Sequence, residues 1–177
     1  MEILGGACRF GLWFVQVWWH GTTVHRVRFA TTGIPGEVPA QIRHYCAGQV
    51  VSLQALTSIA VAENTAYSRI YRMVREVPYG STSTYGEIAD QVGTSPRVVG
   101  QAMARNPTPL VIPCHRILAA QDIGGFSPSV EIKAALLAME KKGLKKCGDR
   151  KTLCAPPGTS AGNESAQRDI FMSGARQ

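Results

Sequence analysis

No Cys-x-x-Cys pair occurs in these 177 residues, and no apolar run approaches the ~20 residues that a membrane-spanning helix needs. The longest candidate, "GLWFVQVWW", is interrupted by Gln16 and ends at His20. The N-terminus lacks the basic-then-apolar layout of a secretory leader. Five cysteines, at positions 8, 46, 114, 147 and 154, are odd in number and widely spread. That argues against a disulfide framework and against a finger-type zinc site. These absences predict a soluble, cytoplasmic chain with free thiols and no membrane association. Acidic side chains are also scarce, 12 against 19 basic, for a net charge of +7. An acidic partner such as nucleic acid fits that balance, and so does a solubilising surface.

What is present is 45% hydrophobic, enough to bury a core. The charge is unevenly placed. Residues 66–146 carry eleven basic and six acidic side chains, whereas residues 1–65 and 147–177 are each nearly balanced. In residues 8–30, "LWFVQVWW" and "TVHRVRFA" read as strands around a His20-Gly21 turn. The alternation of the second run is imperfect: Val24, Arg26 and Arg28 against His25, Val27 and Phe29. Short helices are expected at 39–48 and 52–62.

Helical spacing begins at Asn64, a candidate cap, with Tyr67, Ile70, Tyr71 and Val74 on one face. "TYGEIADQVG" opens with a capping box, Thr84 with Glu87, and stops at Gly93. "SPRVVGQAMARN" follows with Ser95 as N-cap, Pro96 at the first helical position and Val98, Val99, Ala102 and Met103 as the apolar stripe. Two short helices across a glycine turn make a helix-turn-helix candidate or an ordinary helical corner. The second helix carries Gly100, Gln101, Ala102 and Ala104, mostly small, with Arg97 and Arg105, which suits close approach to DNA. "SVEIKAALLAMEKKGL" predicts a last helix, capped by Ser129 and ended by Gly143. The expected organisation is α/β: a small β-containing N-terminal domain (1–63), a mainly helical domain with the helix-turn-helix (64–146), and a flexible tail (147–177).

"PLVIPCHRIL", residues 109–118, sets a thiol and an imidazole in an apolar frame. A thiol attacks as thiolate, and a histidine can take its proton. If the segment is extended, neighbouring side chains point to opposite faces, so Cys114 and His115 need a bridging water or a bend. Asp122, Glu131 and Glu140 are candidate carboxylates to orient the histidine. The residues alone leave a thiol nucleophile acting on DNA, a non-catalytic DNA-binding module with a core cysteine, and a thiol hydrolase open.

"VPYGSTSTYGEIA", "RNPTPLV", "IPCHRIL", "GGFS" and "KAALLAME", in this order, resemble the O6-alkylguanine-DNA alkyltransferases over roughly residues 66–143. The resemblance implies minor-groove binding of double-stranded DNA that contains O6-alkylguanine, flipping of the damaged base, and transfer of its alkyl group to Cys114. Transfer would be irreversible and single-turnover, with alkylated thymine as a further substrate. By the same resemblance His115 is the base acting through a water, Glu140 orients it, and Tyr85 donates a proton to the leaving guanine. Asn106 couples the recognition helix to the active-site segment. Met103, Ile117, Phe126 and Ser127 fall at pocket positions, with Ile117 reading the base through its backbone. Ser95, Arg97, Gly100, Gln101, Ala104 and Arg105 fall on the DNA side, Arg97 filling the gap in the stack. No cofactor and no metal are implied: Cys8, His20, His25 and Cys46 relate only loosely to the zinc site of vertebrate members. A monomer is expected. The alternative within the resemblance is a lesion-binding relative without transfer activity, which lacks the cysteine that stands here at position 114.

Overall fold

A computed structural model describes residues 2–62 and 66–149. Three antiparallel strands open the chain: β1 (Leu4–Phe10), β2 (Trp13–His20) and β3 (Thr23–Ala30). Two-residue connections join them, each beginning at a glycine with positive φ, Gly11 at 57° and Gly21 at 56°. Such turns match the twist of paired strands. The sequence places β2 and β3 correctly but not the start of β1, whose "LGG" has weak strand propensity. Tertiary packing decides it. A Cβ on Gly6 would lie 1.9 Å from the carbonyl oxygen of Glu37, so only glycine lets the 36–37 loop rest on the strand.

Helix α1 (Ala40–Cys46) follows, as expected. The helix expected over 52–62 is instead a two-residue strand, β4 (Thr57–Ser58), and a single turn, α2 (Ile59–Ala62). β4 pairs parallel to β3 and completes the sheet in the order β1-β2-β3-β4. Ser58 is fully buried, and its hydroxyl accepts from that of Thr108 at 2.7 Å, a tie that a continuous helix would not make.

The remainder is mainly helical. Helix α3 (Ser68–Arg75) buries Ile70, Tyr71 and Val74; its cap position is Tyr67, not the expected Asn64, which lies outside the described residues. β5 (Ser83–Thr84) leads into α4 (Tyr85–Val92), where the Thr84–Glu87 capping box forms in both directions and Gly93 closes the helix at φ 73°. Ser95 caps α5 (Pro96–Ala104) by accepting from Val98 N. The helix-turn-helix is therefore built by its local caps. A short 3-10 turn, Cys114–Arg116, then leads to β6 (Ile117–Leu118), parallel to β5.

Helix α6 (Val130–Asp149) does not stop at Gly143 but runs six residues further. A Cβ at 143 would sit 2.8 Å from the Tyr79 hydroxyl, so this glycine serves close packing, not termination. The boundary expected at 147 falls inside this helix, and a tail over 150–177 lies outside the described residues.

Two buried clusters flank the 109–118 segment. Leu110 and Val111 join the sheet, α1 and α6 residues Ile132 and Leu136. Ile112 and Ile117 join α3, α4 and α5. Leu110 turns the chain between them at φ 81°, the one positive-φ non-glycine among the described residues. A leucine there costs about 1–3 kcal/mol and persists because both flanks are pinned by burial.

Candidate active site

The segment after Leu110 is not extended. Ile112 O accepts from Cys114 N at 2.7 Å, and Pro113 O from Arg116 N at 2.9 Å. In a turn of about three residues, successive side chains diverge widely. Cys114 lines a cavity of about 920 Å³ that His115 does not reach. His115 points behind it into a fully buried polar cluster.

That cluster centres on Glu140 of α6. Its Oε1 accepts from the Tyr45 hydroxyl at 2.5 Å, from His115 Nε2 at 2.9 Å and from Arg116 Nη2 at 2.8 Å. Its Oε2 accepts from the Gly80 amide at 2.8 Å and Arg116 Nε at 3.1 Å. Burial alone would raise the Glu140 pKa, but the hydrogen bonds and charges of His115 and Arg116 outweigh it and hold the carboxyl down at about 2. The carboxylate is ionised and buried, and the largely buried Arg116 balances its charge.

These contacts fix the histidine's tautomer. An ionised carboxylate only accepts, so the Nε2 facing it carries the hydrogen. The lone pair is then on Nδ1, which is buried and has no hydrogen-bond partner among the described residues. Burial lowers the His115 pKa further than Glu140 raises it, so the imidazole is neutral at pH 7 and able to take a proton.

Cys114 is 7% exposed. Burial pushes its thiol up to about 11, against the opposing pull of Asn106, the Lys133 charge and the local backbone amides. The resting sulfur is therefore a neutral thiol. Asn106 is itself fixed, with Nδ2 donating to Ile112 O at 2.9 Å and Oδ1 accepting from Thr108 N at 3.0 Å. It thus ties the end of α5 to the turn that carries the sulfur.

Of the residues expected from sequence, Tyr85, Gly100, Met103, Ala104, Asn106, Cys114, Phe126 and Ser127 share the cavity wall. Ile117 does not. Its side chain is wholly buried in the second cluster, and its carbonyl accepts from Lys133 Nζ at 2.6 Å. The backbone role expected for Ile117 meets an acceptor already in use. Ser95, Arg97, Gln101 and Arg105 lie off the cavity, all exposed. Ser95 is engaged as a cap, and Arg105 donates to the Tyr67 hydroxyl at 2.5 Å. Of the three candidate carboxylates, Glu140 alone meets His115; Asp122 accepts from the Gly124 amide, and Glu131 pairs with Ser129.

Three residues of the site escape the sequence reading. Tyr45 arrives from α1, 70 residues before His115, in a helix with no motif. Arg116 sits beside the motif yet carries no signal for burial. Lys133 is fully buried, with Nζ 5.9 Å from the Tyr85 ring. Lys133 and Glu140 stand seven residues apart in α6, so both face the same neighbour; that spacing was the available clue. Among the described residues no group of three His, Cys, Asp or Glu side chains is arranged to hold a metal ion, and no helix is long and apolar enough to cross a membrane.

Residues 65–142 match the family described as 6-O-methylguanine DNA methyltransferase, DNA binding domain. A methylated-DNA–protein-cysteine methyltransferase of Metallosphaera sedula is 46% identical over 87 residues, covering 49% of this chain and 56% of that protein. The chain spans about half the length of the curated relatives it matches. The crystal structure of the Mycobacterium tuberculosis O6-methylguanine methyltransferase superimposes with a TM-score of 0.63 at 26% identity, covering 80% of this chain and 94% of that one. A structure of the M. tuberculosis protein in complex with DNA gives 0.62 at 27% identity, over 77% and 92%. The fold, a four-stranded N-terminal sheet followed by a helical part, is that of these alkyltransferases.

Proposed function

We propose, for a chain whose residues 65–142 are a DNA-binding domain of the 6-O-methylguanine DNA methyltransferase family, that it repairs DNA by taking the alkyl group of O6-alkylguanine onto Cys114. The observation that carries this reading is the pairing of two atoms in one turn. Cys114 lines an open cavity, and behind it the neutral His115, whose Nδ1 has no hydrogen-bond partner among the described residues, is backed by an ionised carboxylate.

The steps balance. The thiol proton passes through a water to His115 Nδ1, and the imidazolium is stabilised by Glu140 through Nε2. The thiolate attacks the alkyl carbon in line. An S–C bond forms, the C–O6 bond breaks, and its electron pair leaves on guanine. Tyr85, on the cavity wall, supplies the proton that the departing base needs. Desolvation holds the Tyr85 pKa above its ordinary value, so the phenol stays protonated until that charge develops. His115 then gives up its proton to solvent and Tyr85 regains one, so that in net the thiol proton ends on the departed guanine. A thioether is a stable product that weak oxygen nucleophiles do not cleave, so each molecule acts once in this reading.

A damaged guanine reaches the cavity only outside the duplex stack. Helix α5 presents Gly100 and Ala104 at the cavity, and among the described residues a Cβ built on Gly100 would meet nothing within 4 Å beyond its chain neighbours and its own helix backbone. That open, small-residue face suits close approach of a DNA backbone, and Arg97, exposed at its N-terminal end, would fill the gap left by the flipped base. O4-alkylthymine offers the same alkyl carbon and is a second substrate in this reading.

The test is intact mass after incubation with duplex DNA containing O6-methylguanine. Wild type should gain one methyl group and Cys114→Ala none, with DNA binding retained. An unmodified wild type that still binds the lesion would establish a lesion-binding protein instead.

A further inference from the structure

The sheet contributes one wall of the Cys114 cavity: His25, Arg26 and Arg28 of β3 line it with Val27 and Phe29. Strict alternation would set Arg26 and Arg28 on the face of Val24, which is fully buried. Both arginines are exposed. The register explains this. Trp19 pairs with Val24 and Trp18 with Arg26, which leaves His25 unpaired as a bulge. One inserted residue reverses every side chain after it. Val27 and Phe29 return to the core, and the two guanidinium groups turn outward.

The strand is held against the site by two further contacts. Val27 N donates to Pro107 O at 2.9 Å, next to Asn106, and the Phe29 ring meets Phe126 edge-on at 5.8 Å. Arg75, Arg105 and Arg116 are committed to internal acceptors. Arg26 and Arg28 have no ion pair or side-chain hydrogen bond among the described residues. Two positions along a strand span about 6.8 Å, which lets each guanidinium meet a separate phosphate of one DNA strand.

We propose that Arg26 and Arg28 form a second DNA-gripping surface. They neutralise two backbone phosphates of the strand that carries the flipped nucleotide, so the DNA is held from both the helix α5 side and the β3 side of the cavity. This rests on the function proposed above, and it adds the N-terminal sheet to the DNA contact.

The experiment compares wild type with the double variant Arg26→Gln/Arg28→Gln. Binding to a duplex containing O6-methylguanine is measured by anisotropy across a salt series, and alkyl transfer is measured from the duplex and from free O6-benzylguanine. Losing two phosphate contacts should make the slope of log K against log salt shallower by about 1.8. Affinity should fall by about one to two decades near 0.1 M salt and converge with wild type toward 1 M. Transfer from the free base, which has no phosphates, should change far less than transfer from the duplex. An unchanged salt slope would overturn the proposal, as would parallel loss on both substrates. A wild type that transfers nothing would defeat the functional reading instead; the salt slope still reads the arginine surface, because it requires binding alone.

Discussion

Cys114 and His115 are adjacent in sequence and live in different surroundings. The sulfur lines an open cavity with Tyr85, Ser127, small residues of α5 and the edge of β3. The imidazole sits in a closed cluster where Glu140 accepts from Tyr45, Gly80, His115 and Arg116. The front is shaped for a visitor and leaves polar groups unengaged. The back has every described donor and acceptor engaged around Glu140 before any substrate arrives, except His115 Nδ1. Proton handling is thus preorganised, and recognition is left to the surface that DNA must fill.

Glu140→Gln tests the back most severely. It removes the charge that Arg116 balances while keeping the side chain's shape. Alkyl transfer should fall by about 10²-fold or more, as expected when a general base loses its support. Thermal or denaturant unfolding should show a loss of about 3–5 kcal/mol, because Arg116 is left as an unpaired buried cation. If transfer falls but stability does not, the cluster is not closed as described.

The same carboxylate sets an acid limit. Its folded pKa lies below the ordinary 4.5, so its stabilisation is present above that value. It is lost as pH falls from about 4.5 through about 2. Stability measured against pH should decline across that window in wild type and more shallowly in Glu140→Gln.

Arg97→Ala probes the front. Transfer from duplex DNA should drop about tenfold, or about 1.4 kcal/mol, with transfer from a free alkylated base little changed. Equal losses on both would remove Arg97 from the DNA side. The smallest effect is expected for Tyr45→Phe, which deletes one hydroxyl from a carboxylate that keeps its other donors. A stability loss of about 1–2 kcal/mol is expected. The pH profile of transfer should shift as His115 loses a neighbour that shares Glu140 Oε1, and an unmoved profile would make Tyr45 purely structural.

Local features were legible in the sequence. The Thr84–Glu87 box, Gly93, Ser95 and Pro96 each act within one turn, and the helix-turn-helix appeared where they place it. Features decided at a distance were not. Gly143 resembles a stop but packs against Tyr79, and Gly6 carries no strand signal, its place in β1 being set by Glu37 above it. The thiol and the histidine were visible, but the 3-10 turn that separates them was not. The halting alternation around His25 was the visible trace of the bulge. Net charge hid its result: residues 1–65 are nearly balanced, yet two of their four basic side chains stand together at the cavity.

Gly80 has no side chain and no chemistry, but its amide is anchored on Glu140 Oε2. Three separate pieces of the chain, α1, the 78–82 loop and the 3-10 turn, converge on that one carboxylate of α6. None can swing away without abandoning a buried charge. The exchange of one glycine hydrogen with solvent is therefore a clock for the whole assembly, slow while the pieces are joined and fast once any of them has parted.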